Sequence, residues 1–107
     1  MEHLQIVATT PTREDAVRIS AALLEAKLAA CVQIGGPIES RYWWQGRIES
    51  AQEWTCTIKS AQHLFDAIER EIKRLHPYET PEIIATAIVA GSLEYLSWVE
   101  ESVRTDS

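Results

Sequence analysis

Ile38-Glu39-Ser40-Arg41-Tyr42-Trp43-Trp44-Gln45-Gly46-Arg47-Ile48-Glu49-Ser50-Ala51-Gln52-Glu53-Trp54 decides how this chain folds. Gln45-Gly46 is a tight-turn signal, because glycine takes positive φ without steric penalty. A two-residue turn pairs Trp44 with Arg47, Tyr42 with Glu49 and Ile38 with Glu53. Side chains in a strand alternate between faces. Tyr42, Trp44 and Glu53 therefore share one face of the hairpin, and Ile48, Trp54, Cys56 and Ile58 share the other. A single layer of helices covers only one face. Large aromatics on both predict a second cover, supplied by another subunit. The plainer alternative is that Trp43 and Trp44 merely finish a hairpin end.

Working outward, residues 29–34 form an apolar run before the hairpin, and Gly35-Gly36-Pro37 interrupts it with a bulge or bend. Further upstream, residues 4–9 alternate as a short strand. Thr10-Pro11-Thr12 turns the chain, and Thr12 with Asp15 has capping-box spacing. The helix that follows runs to residue 26 or 27, with Ala16, Ile19, Leu23 and Ala26 inward and Ala22 and Leu24 widening the stripe. Downstream of the return strand, which spans residues 47–59, Ser60 is the candidate cap of a second helix. That helix buries Leu64, Phe65, Ile68, Ile72 and Leu75 and stops near His76, because Pro77 disfavours helical geometry in the residue before it. Residues 83–89 read as a strand apolar enough for a central sheet position. Ala90-Gly91 turns, and Ser92 caps a last helix with Leu96, Val99 and Val103 inward and Trp98 nearby. Strand-helix-strand twice over, joined by a hairpin, predicts an α+β, ferredoxin-like split βαβ sandwich with an extra C-terminal helix. Right-handed crossovers put both main helices on one side of four strands.

The chain has 107 residues, which suits one domain over 1–107. Apolar residues make up 46% and charged residues 24%, which excludes a disordered chain. The net charge is −6 and the Lys and Arg residues are scattered, so nucleic acid is not an expected partner. No apolar run approaches the roughly 20 residues of a membrane span. Met1-Glu2-His3-Leu4 lacks the basic and apolar regions of a signal peptide. A cytoplasmic protein without membrane attachment is expected, with Cys31 and Cys56 as free, packed thiols.

Four segments carry a resemblance. They are Glu25-Ala26-Lys27-Leu28-Ala29-Ala30-Cys31-Val32, Tyr42-Trp43-Trp44-Gln45-Gly46-Arg47-Ile48, His76-Pro77-Tyr78-Glu79-Thr80-Pro81-Glu82-Ile83-Ile84 and Gly91-Ser92-Leu93-Glu94-Tyr95-Leu96-Ser97-Trp98. In this order the sequence resembles the CutA-like divalent-cation tolerance family, from Val7 to Val99. The resemblance implies a cytoplasmic homotrimer, PII-like in architecture, that binds divalent cations such as copper and has no catalytic activity. It implies metal ligation by His76 and Glu53, with Glu49 the lesser carboxylate candidate. A cysteine that some bacterial relatives carry before the first turn falls at Ala8 here, so that soft ligand is missing.

Imidazole and carboxylate together suit Cu(II), Zn or Ni, whereas Cu(I) prefers thiolate or thioether. His76, Glu79 and Glu82 lie close in sequence, and the hairpin brings Glu53. The plainer reading makes His76 a helix-end residue that meets the last carbonyls, with Pro77 and Pro81 stiffening the connection. Both stand at this point. So do three functions: a non-catalytic trimeric protein of cation binding and tolerance, with Cu or Zn as the possible bound metal; a PII-like small-molecule or protein-partner sensor; and, third, a hydrolase using His76 and Glu79. No nucleophile motif supports the last.

Overall fold

The computed structural model describes residues 2–106, so Met1 and Ser107, the outermost residues of the expected domain, lie outside the described residues. The elements follow in the expected order: β1 (His3–Thr10), α1 (Arg13–Glu25), β2 (Cys31–Trp44), β3 (Arg47–Ala61), α2 (Phe65–Leu75), β4 (Ile83–Ala87) and α3 (Leu93–Ser102). The sheet order is β2-β3-β1-β4, and each neighbouring pair is antiparallel. β1–α1–β2 and β3–α2–β4 are thus two interlocked split units, the ferredoxin-like arrangement with an added helix.

The core lies between α1, α2 and one sheet face. Register places Ile6 opposite Ile58 and Ala8 opposite Cys56. All four are fully buried. Ala16, Ile19 and Leu23 of α1 and Ala67, Ile68 and Ile72 of α2 close over them. α1 starts where the Thr12 hydroxyl accepts the Asp15 amide at 3.1 Å, satisfying one of the orphan donors of the first turn. Leu24 does not widen the buried stripe; it is exposed, because it sits about 100° round the helix from Leu23.

The hairpin has the predicted register, Trp44 against Arg47, Tyr42 against Glu49 and Ile38 against Glu53. Gln45 (φ 49°) and Gly46 (φ 78°) both take the left-handed region, as a turn matched to strand twist requires. The interruption at residues 35–37 is a bulge inside one continuous strand. Gly35 faces Thr55 but Ile38 faces Glu53, so β2 spends one extra residue. Up to the bulge, even-numbered β2 residues share the helix-covered face. Beyond it, odd-numbered ones do.

Two further expectations are corrected. Ser60 does not cap α2. It stays in β3 opposite Leu4 and donates its hydroxyl to the Leu28 carbonyl at 2.6 Å, which satisfies it inside the core. The helix instead begins through a 3₁₀ turn, Gln62–Leu64. β4 is not central. It ends at Ala87 and pairs only with β1, at the edge. Its apolar run lies mostly at the surface, with Ile84 and Val89 exposed and Ile83 packed against the core.

α3 lies on the second face of the sheet. Glu100 reaches His3, and Tyr95 sits by Cys31, whose charge raises the phenol's pKa after burial has done so. His3 and Cys31 both occupy the face away from Ile6 and Ile58. Val99 is fully buried there, apart from the main core, while Val103 rejoins it. Beyond α3 the Arg104 amide donates to the Lys27 carbonyl at 2.9 Å, closing the chain against the end of α1. Among the described residues no helix is long and apolar enough to cross a membrane.

Candidate functional site

Where α2 ends, three side chains of the sequence-predicted region meet. Pro77 forces the exit, and His76 has left helical geometry (φ −79°, ψ 136°). Arg18 of α1 holds this end, donating from Nη2 to the Leu75 carbonyl at 2.8 Å. A cation on the last carbonyls also complements the helix dipole.

His76 is buried. Its Nδ1 accepts the Tyr78 amide at 3.0 Å. The ring proton therefore sits on Nε2, which donates to the Thr9 carbonyl at 2.7 Å. Both nitrogens are in use within the chain. The imidazole thus ties the α2 exit to the end of β1 and folds the next turn back over itself. The Tyr78 ring lies 5.0 Å from it, centroid to centroid.

Tyr78 leads to Glu53. Burial raises the Tyr78 pKa most, and the negative charge of Glu53 raises it further, with Tyr42 and Asp15 contributing. Glu53 is buried, 8% exposed, on β3 beside the bulge. It has no ion-pair partner among the described residues. Its carboxylate instead faces the Tyr78 hydroxyl, a hydrogen-bonding neighbour that carries no positive charge.

The structure therefore brings His76 and Glu53 to one corner, with Tyr78 as the group that faces both. It does not gather the other candidates there. Glu79 and Glu82 are exposed, and Glu49 faces Arg47 at 3.5 Å. Ala8 points into the helix-covered core. Among the described residues no group of three or more His, Cys, Asp or Glu could hold a metal ion. As donors for an implied cation, Glu53 fits by its unpaired charge, whereas His76 fits only by exchanging its Tyr78 bond for the ion. Sequence reading missed the Thr9 carbonyl, which has no side-chain signature, whereas the hairpin register had already put Tyr42 on the Glu53 face.

Comparison with known proteins places this chain in a lineage. The family profile described as "CutA1 divalent ion tolerance protein" matches residues 4–102. A divalent-cation tolerance protein CutA from Archaeoglobus fulgidus is 45% identical over 102 residues, covering 95% of this chain and 99% of that one. The chloroplastic CutA 1 of Oryza sativa is 39% identical over 92% of this chain, which spans 56% of that relative's length. The crystal structure of CutA1 from Oryza sativa superposes with a TM-score of 0.97 at 37% identity, covering 99% of this chain and 97% of that chain. The Cut A1 structure from Thermus thermophilus gives 0.93 at 40% identity, with 97% of this chain and 100% of that chain covered. Agreement along the whole chain, in sequence and in fold, shows that this protein belongs to the CutA1 divalent ion tolerance family.

Proposed function

We propose that the protein acts in divalent-cation tolerance as a non-catalytic homotrimer in the cytoplasm, holding copper or zinc at junctions between its copies. The observation that carries this is the hairpin tip. Trp43 is 72% exposed, Trp44 60% and Ile48 56%, and they stand on opposite faces of a two-stranded ribbon. β4 adds an unpaired edge with Ile84 exposed. Apolar surface of this kind on both faces, next to a free strand edge, favours association. Closed three-fold symmetry covers every copy equally and leaves no edge to grow a fibre.

Glu53 supplies the unpaired carboxylate of the cation site. His76 supplies the imidazole once Nδ1 gives up the Tyr78 amide, and a neighbouring copy supplies the remaining donors. Imidazole and carboxylate suit Cu(II) and Zn. Light scattering at micromolar concentration should give three times the 12.1 kDa mass of one chain. Calorimetry with Cu(II) and Zn should show binding that Glu53→Gln and His76→Ala each weaken. A monomer mass, or titration curves unaffected by both substitutions, would reject the assembly and the site respectively.

A further inference from the structure

On the second face of the sheet, His3 stands at the start of β1, opposite Ala61, with 8% of its surface exposed. Glu100 of α3 places a carboxylate oxygen 3.0 Å from His3 Nε2. At that separation a hydrogen bond is the usual result. None forms here, and the contact pairs charges only when the ring is protonated. The nitrogen is sealed from solvent and, alone among the described buried side-chain polar atoms, has no hydrogen-bond partner.

An imidazole nitrogen and a carboxylate oxygen this close, with no hydrogen bond between them, match an edge of a coordination shell. An ion about 2.0–2.1 Å from an imidazole nitrogen and a carboxylate oxygen, themselves 3.0 Å apart, sees them at about 91–97°. We propose that His3 Nε2 and the Glu100 carboxylate form a divalent-cation site within a single chain. It takes an ion that accepts both nitrogen and oxygen, of the Zn(II), Ni(II) and Cu(II) class, in preference to Ca(II) or Mg(II). The Glu100 side chain is 41% exposed, so water completes the shell from the solvent side. Lys59, across from Gln5 on the same face, directs its ammonium to Gln33 at 2.9 Å. The bound ion would tie the last helix to the first strand.

The inference rests on the cation-tolerance reading, but not on the Glu53 and His76 site. Its test is zinc titration of the tag-free chain at neutral pH, followed by calorimetry and by NMR of the histidine ring nitrogens. Zinc should shift the His3 Nε2 resonance. Glu100→Gln, which keeps the side chain's shape at an exposed position, should weaken this binding step by about tenfold or more, and His3→Gln should do the same. An unmoved His3 ring, or an unchanged zinc affinity in Glu100→Gln, overturns the proposal. If Glu53→Gln and His76→Ala remove all zinc binding while Glu100→Gln removes none, this site falls and the junction site stands. If only Glu100→Gln and His3→Gln remove it, the junction site falls instead.

Discussion

His76 is a tie before it is a ligand. Its ring joins the Tyr78 amide and the Thr9 carbonyl, groups 2 and 67 residues away in sequence. Replacing it by Phe leaves both buried bonds unmade, at about 1–3 kcal/mol. Urea denaturation should show that loss, and should show it at metal-free conditions, which separates the tie from any ligand role. The helix exit was legible, because Pro77 follows His76. The Thr9 bond was not, because a backbone carbonyl has no sequence signature. Cys56 makes a second residue-level case. Burial pushes its thiol from 9.0 up to about 11, and its Sγ donates to the Ala16 carbonyl at 3.7 Å. A raised pKa means the folded state favours the thiol over the thiolate. The resulting stability is complete below pH 9.0 and is lost as pH rises through about 11. The loss amounts to about 2–3 kcal/mol at 1.36 kcal/mol per unit. Tyr78 and Tyr95, also raised, add in the same direction at higher pH. Melting curves under reducing conditions from pH 8 upward should fall less steeply in Cys56→Ala than in the parent.

At the scale of elements, the bulge in β2 carries the most consequence. Gly36 sits at φ +144°, and a Cβ there would lie 2.8 Å from Trp54 Cδ1 and 3.0 Å from the Glu53 carbonyl. Both the backbone and the space demand glycine. Gly36→Ala should cost about 1–3 kcal/mol by strain and overpacking together, read as a lower melting temperature. Gly46→Asn should be near neutral beside it. Its φ of +78° suits Asn, and nothing lies within 4 Å of the added Cβ. The register near the turn could be written down from Gln45-Gly46 alone, since a two-residue loop fixes the pairing. The edge placement of β4 could not. An apolar run reads the same whether it is buried by its own chain or left for a neighbour. Ser60 misled for a related reason. A serine before a helix pattern is a good cap, but a hydroxyl that finds a buried carbonyl is equally well satisfied within a strand.

The whole molecule extends 44 × 26 × 21 Å, and the long axis reflects the protruding β2–β3 hairpin. Two split units and their crossovers were legible because each helix carries one apolar stripe and each strand a period of two. The position of α3 was not. Its stripe says that it packs, but both sheet faces offer apolar positions, and only the contacts with His3 and Cys31 show which was chosen.

The sheet order also sets a sequence of events in time. β1 is made first, yet its partners are β3 and β4, and Leu4 meets Ala87 at the far end of the chain. Loop closure over such spans is costly, whereas β2 and β3 are joined by two residues. We expect the hairpin to form first during refolding and the amino-terminal strand to wait for the carboxyl-terminal half. Pulse-labelling hydrogen exchange should protect the Tyr42 and Glu49 amides, which face each other at a hydrogen-bonded position of the hairpin, before those of Ile6 and Ala8; simultaneous protection would defeat this order. A chain emerging from the ribosome would then present the tryptophan-bearing tip while its own core is still incomplete, so copies synthesised side by side would meet through their hairpins before either had finished folding.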